Sequence, residues 1–79
     1  MVLFASMLNA VELQAQLDLS ERHLKEATDH ISRVCDTLEK RLQLRLDSSE
    51  IEALLAKLLD ERVVIERRVT ELRALQPKT

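Results

Sequence analysis

Two histidines and a single cysteine are the side chains of this 79-residue chain best suited to binding a metal or acting as a nucleophile. His23, Glu26 and His30 follow one another at steps of three and four residues, so they lie roughly on one face of a helix. Zinc proteases need two histidines four residues apart, and di-iron bundles need Glu-x-x-His pairs, so the spacing matches neither kind of site. We therefore interpret these residues as part of a solvated helix flank and predict no metal and no cofactor.

The cysteine, Cys35, has no histidine at helical contact spacing, because His30 lies five residues earlier. A nucleophilic thiol needs a nearby base and an electropositive environment. The sequence also contains no second cysteine for an internal disulfide, which is typical of a reducing compartment. We predict that Cys35 is a small, partly buried apolar residue, that the protein is not an enzyme and that it is cytoplasmic.

Basic residues near the C-terminus could in principle contact nucleic acid. A net charge of −2 gives the whole chain no attraction to phosphate, and a single aromatic residue offers almost nothing for bases to stack on. We expect these basic residues to face the acidic first half of the chain instead. The alternative prediction is a homodimeric helical bundle that binds nucleic acid through this end. The basic residues are Arg62, Arg67, Arg68, Arg73 and Lys78.

The composition indicates the fold class. The chain has no glycine, one proline and 46% hydrophobic residues. Without glycine, phosphate-binding loops and tight β-hairpin turns are unlikely. The abundant Leu, Ala, Glu, Arg and Gln residues are strong helix formers, so we predict an all-α protein. A core of this size rarely supplies more than a few kcal/mol of stability, so we also expect a partner or a second copy.

Two apolar heptad patterns predict two helices. The first recurs at steps of three and four from Ala10 to Leu38 and predicts a helix at about 6–46. Capping-box spacing around the turn at 47–49 predicts that a second helix begins there and continues to about residue 76. A short connection makes the two helices antiparallel neighbours, so we predict a single helical-hairpin domain over 1–79 with coiled-coil-like packing. The predicted hairpin core is Ile31, Val34, Leu38, Leu42, Ile51, Leu55, Leu58, Ile65, Val69 and Leu72.

The predicted helices differ in length, so part of the first one should be uncovered. Folding at Ser48 leaves an apolar docking overhang over residues 1–20. Its first eleven residues carry no charge, but they are too few to span a bilayer and lack the basic residues of a signal peptide or an interfacial helix. We expect another protein or a second copy to cover this stripe. The predicted interface residues are Leu3, Phe4, Met7, Leu8, Val11, Leu13, Leu17 and Leu24.

A bend near 18–21 is the alternative way to cover the overhang. Asp18 and Glu21 have capping-box spacing, and a bend there would fold the first segment back as a third helix. The seam continues without interruption from Leu17 to Leu24, which favours one continuous helix.

The sequence thus predicts a non-enzymatic protein–protein interaction module, an assembly factor or a small chaperone or co-chaperone, with no small-molecule substrate. In shape only, a small acidic helical hairpin without glycine is similar to the co-chaperones of bacterial type III secretion needles. No motif carries that likeness, so it adds no site residues.

Overall fold

A computed structural model describes the backbone from Val2 to Gln76 and the side chains from Ala10 to Gln76. Over this range the chain forms two helices, α1 (Val2–Gln43) and α2 (Ser49–Ala74), and no strand. The helices pack against each other as a hairpin about 60 Å long. The predicted all-α class and helical hairpin are therefore confirmed.

The alternative of a bend near 18–21 is wrong, because α1 continues through this region without interruption. The Asp18 carboxylate accepts a hydrogen bond of 2.8 Å from the side-chain amide of Gln14, one turn earlier on the same helix. Asp18 therefore contributes an i,i+4 side-chain contact within α1 instead of capping a new helix. The favoured prediction of one continuous helix, which was based on the uninterrupted seam, is confirmed.

The end of α1 is built on a residue in the left-handed conformation. Arg45 has φ of 58°, and its N–H donates to the Leu42 carbonyl at 3.2 Å. The next residue, Leu46, donates its N–H to the Arg41 carbonyl at 2.9 Å. These two bonds form a Schellman motif, which usually has glycine at the left-handed position. The left-handed conformation of Arg45 ends α1 at Gln43 and not at the predicted residue 46.

Replacing Arg45 by glycine is expected to stabilise the hairpin. A non-glycine residue in the left-handed conformation costs about 1–2 kcal/mol, which glycine avoids. Part of that gain is lost, because glycine also gives the unfolded chain more conformational freedom. We expect Arg45→Gly to raise the free energy of unfolding by about 0.5–1 kcal/mol in urea titrations. Arg45→Ala removes the same charge without relieving the backbone, so a similar gain from alanine would contradict this explanation.

The connection is fixed to both helices by side-chain hydrogen bonds. The Arg41 guanidinium donates to the Asp47 carbonyl at 3.1 Å, and the Ser48 hydroxyl donates to a Glu52 carboxylate oxygen at 2.7 Å. The Asp47 carboxylate accepts bonds from the hydroxyl of Ser49 at 2.7 Å and from its backbone N–H at 3.1 Å. These bonds lower the pKa of the Asp47 carboxyl below its usual value. The predicted start of the second helix at residue 49 is correct, and Ser48 is the residue that pairs with Glu52.

The core forms two clusters along the seam. Of the predicted core residues, Leu38 is half-buried, whereas Leu42 is 58% exposed. Leu42 lies outside the core because α2 begins only at Ser49, so this last turn of α1 is level with the polar connection. The cluster near the connection contains Ile31, Val34 and Leu58, with Ile51 and Leu55 packed against it. The far cluster contains Leu17, Val69 and Leu72, with Leu13, Leu24 and Ile65 packed against it.

The hairpin turns earlier in the chain than predicted, and α2 therefore covers more of α1. The side-chain amide of Gln76 donates to the Gln14 side chain at 2.9 Å, which joins the end of α2 to α1. One turn back, the guanidinium of Arg73 forms an ion pair with Glu21. The turning point lies at Arg45 and not at Ser48, so the uncovered part of α1 ends near Gln14 and not near residue 20.

Candidate protein-docking site

The uncovered part of α1 is the first candidate for a docking surface. The α1 backbone continues about twelve residues beyond Gln14, to Val2. Val11, in this part, is 78% exposed, more than any other large hydrophobic residue whose side chain is described. Four predicted interface residues, Leu3, Phe4, Met7 and Leu8, have side chains outside the described residues.

Three of the predicted interface residues lie inside the hairpin. Leu17 is only 4% exposed and packs with Val69 and Leu72 of α2. Leu13 and Leu24 are partly buried against the same cluster. Because the earlier turning point brings α2 alongside these residues, they stabilise the hairpin, and we leave them out of the docking surface.

The residues that stay exposed follow a second apolar periodicity on the other side of α1. Val11 and Ala15 are exposed, and Leu19 is 47% exposed, whereas Leu13 and Leu17 lie two residues away and face α2. Two residues correspond to a rotation of about 200° around an α-helix, so the two sets occupy opposite faces. We call this set the outer stripe, and it comprises Val11, Ala15 and Leu19. In the sequence the same spacing continues back to Leu8 and Phe4, whose side chains lie outside the described residues.

A groove of about 400 Å³ between the two helices adjoins the C-terminal end of the outer stripe. Leu19 lines it on the α1 side, and Val64, which is 66% exposed, lines it on the α2 side. The Arg68 guanidinium donates a 3.0 Å hydrogen bond across the groove to the Gln16 side chain. The apolar surface of the outer stripe therefore continues onto α2. The complete lining is Gln16, Leu19, Ser20, His23, Val64, Ile65 and Arg68.

Several of the basic residues predicted to offer an alternative nucleic-acid surface make contacts within the hairpin. Arg73 pairs with Glu21, and Arg68 donates to a glutamine of α1. The Arg62 side chain is 33% exposed, and its Nε lies 4.0 Å from a carboxylate oxygen of Glu66. The contacts of Arg73 and Arg68 reach α1, whereas the contact of Arg62 lies within α2. Lys78 lies outside the described residues.

The candidate chemical groups are dispersed on the surface. His23, Glu26 and His30 are exposed, and the described residues contain no group of three side chains arranged to hold a metal ion. Cys35 is also exposed, so its predicted partial burial is wrong. The reason is rotation, because Cys35 follows the buried Val34 by one residue and so points about 100° away from the seam.

Sequence reasoning found the apolar overhang but treated its two faces as one surface. A separate count of the period through Phe4, Leu8 and Val11 reveals a second apolar face in the sequence, although it does not say which face α2 covers. Neither α1 nor α2, over the part of the chain described, has a stretch long and apolar enough to cross a membrane. No protein-family model, curated protein or solved structure matches this chain.

Proposed function

We propose that this protein is a non-enzymatic protein–protein interaction module, an assembly factor or a small chaperone, that docks through the outer stripe. The observation that carries the proposal is the exposure of Val11, at 78%, on a part of α1 that extends beyond α2. A contiguous exposed apolar surface on a small protein is normally an interaction site. A partner helix would bury its own apolar face against the stripe, in the helix-in-groove mode of recognition.

The free energies of burial and of association limit the affinity of such an interaction. Complete burial of a Val or Leu side chain contributes about 1.5–3 kcal/mol, so Val11 and Leu19, the two large residues of the stripe, supply on the order of 3–6 kcal/mol. Association costs about 4–15 kcal/mol in lost freedom. Because this cost is at least as large, the stripe alone supports only weak, reversible binding, and tighter binding needs further contacts such as those at the groove.

The proposal is tested by placing a charge in the outer stripe. Val11→Asp is expected to abolish association, because a carboxylate on a docked apolar face loses its hydration without gaining a partner. Light scattering across a dilution series measures self-association, and quantitative capture by the immobilised protein measures binding of other proteins. Both are compared between wild type and variant.

Val63→Asp is the matched control. Val63 is 50% exposed on α2 and belongs neither to the outer stripe nor to the groove, so this variant should associate like the wild type. Equal association of all three proteins would contradict docking through the outer stripe.

A further inference from the structure

We infer that two copies of this chain exchange their second helices, so that α2 of each copy packs on α1 of the other. In this dimer the connection at 44–48 becomes helical, and each chain forms one continuous helix over residues 2–74. The inference goes beyond the proposed function and does not rest on it, because it concerns the end of the hairpin opposite the outer stripe. Three features support it: the strain in the connection, the composition of the core and the exposure of Leu44.

The connection is short and strained. Only the five residues 44–48 separate the two helices, and Arg45 among them has φ of 58° although it is not glycine. This conformation costs free energy in every hairpin, and a helical conformation of Arg45 would remove that cost. The connection contains neither glycine nor proline, so it lacks the two residues that most oppose a continuous helix. Short connections under strain favour the exchange of elements between copies.

The core is preserved when the second helices exchange. Each of the two core clusters joins residues of α1 to residues of α2, so both clusters form again between the copies. Exchange of an identical element is for this reason a low-cost route to a dimer. The contact between Gln14 and Gln76 is centred on residue 45, so the two-fold axis of the exchanged dimer passes beside Arg45.

Leu44 is covered in the exchanged dimer. In the hairpin it is 69% exposed, more than any other leucine whose side chain is described. In a continuous helix the seam crosses the connection with one step of three residues in place of four, which overwinds the helix locally. The Leu44 residues of the two copies then lie about 3 Å apart along the helices, so their side chains pack together at the axis. The seam positions in this region are Leu38, Arg41, Leu44, Ser48 and Ile51.

Concentration determines which form is populated, because both contain the same core clusters. The hairpin incurs no association cost and prevails in dilute solution, whereas relief of the strain at Arg45 and burial of Leu44 favour the dimer at higher concentration. The dimer is a rod with an outer stripe near each end, and its two Ala15 residues lie about 90 Å apart. Exchange therefore turns a single docking surface into a bivalent one.

Energy transfer within one chain distinguishes the two forms. Dyes are attached to Gln14→Cys and Gln76→Cys in a Cys35→Ser background, and a trace of this chain is refolded with increasing amounts of unlabelled chain. In the hairpin the two native side chains are 2.9 Å apart. In the exchanged dimer the same positions lie about 93 Å apart on one helix, beyond the range of efficient transfer. We expect transfer to fall as concentration rises, while light scattering shows a doubled mass and circular dichroism shows unchanged helicity.

Substitutions of Arg45, made in both the labelled and the unlabelled chain, test the cause. Arg45→Ala keeps the strain of the hairpin and favours a continuous helix, whereas Arg45→Gly relieves the strain and disfavours the helix. Both remove the arginine that the two copies bring level with each other at the axis, so the comparison isolates the backbone. Because each dimer contains two such residues, Arg45→Gly should lose half of its transfer at a concentration at least about a hundredfold higher than Arg45→Ala.

Efficient transfer in Arg45→Ala at the highest soluble concentration, or the same midpoint for both variants, would overturn the exchange. Loss of transfer without a doubled mass would also overturn it, because the chain would then have opened as a monomer. A doubled mass with retained transfer would mean that intact hairpins associate, which overturns the exchange and leaves docking through the outer stripe in place. Comparing Val11→Asp with its parent in the Arg45→Gly background, where exchange is suppressed, reveals a failure of the proposed docking separately.

Discussion

Leu17→Asp is expected to unfold the hairpin, whereas Val11→Asp, six residues earlier on the same helix, is expected to leave it folded. Leu17 is 4% exposed between Val69 and Leu72, so a carboxylate there is buried without a partner and costs several kcal/mol. A domain of this size has about 4–12 kcal/mol of stability in total. Val11 is 78% exposed, and a substitution at such a position usually changes stability by less than about 0.5 kcal/mol.

Far-UV circular dichroism with urea titration distinguishes the two variants at low protein concentration, where association contributes least. Leu17→Ala provides a milder version, with an expected loss of about 2–5 kcal/mol from the cavity it leaves. A fully helical Leu17→Asp with an unchanged urea midpoint would contradict the placement of Leu17 in the core. It would return this residue to the docking surface that the sequence predicted.

Arg62→Leu is expected to stabilise the hairpin by about 1–3 kcal/mol, because it removes an unsatisfied buried donor and continues the apolar seam. Arg62 lies at a seam position between Leu58 and Ile65 on α2, where a heptad pattern calls for an apolar residue. Its Nε is buried without a hydrogen-bond partner, and 4.0 Å to Glu66 is too long for a hydrogen bond. The rest of the guanidinium reaches solvent, so the cost falls on the covered nitrogen.

Urea titrations of Arg62→Leu and of Arg67→Leu measure this effect against a matched loss of charge. Arg67 is exposed, so its replacement should change the free energy of unfolding by less than about 0.5 kcal/mol. Destabilisation by Arg62→Leu would mean that the arginine stem packs better than leucine. We also expect the leucine variant to populate several oligomers, because a polar residue in a heptad seam restricts register and oligomer state at a cost in stability.

The fold class, the hairpin and the start of α2 could be predicted from the sequence because each depends on a strong local signal. The end of α1 had no such signal, since the left-handed position is filled by Arg45 and a glycine would normally mark it. That small error moved the turning point of the hairpin to Ser48. The end of α2 was consequently placed near Glu21, although Gln76 contacts Gln14.

The same error changed the assignment of the docking residues. With α2 placed too far along, Leu13 and Leu17 had no predicted cover, and together with Leu24 they were predicted to contact a partner. The structure places them against α2 and leaves Val11 exposed. Periodicity alone could not decide between these roles, because both faces of the N-terminal part of α1 are apolar in the sequence. Only the distance that α2 extends along α1 distinguishes the covered face from the exposed one.

The divided core gives the two ends of the hairpin different stabilities. The cluster at Leu17 and Leu72 joins residues about twice as far apart in sequence as the cluster at Ile31 and Leu58, and each doubling of a loop costs about 0.6 kcal/mol in closure entropy. Arg62 interrupts the apolar contact between them, so the far end can separate while the end at the connection stays closed. Local opening and amide exchange should therefore begin at the half that carries the outer stripe, and any protein that binds there would suppress that opening by mass action.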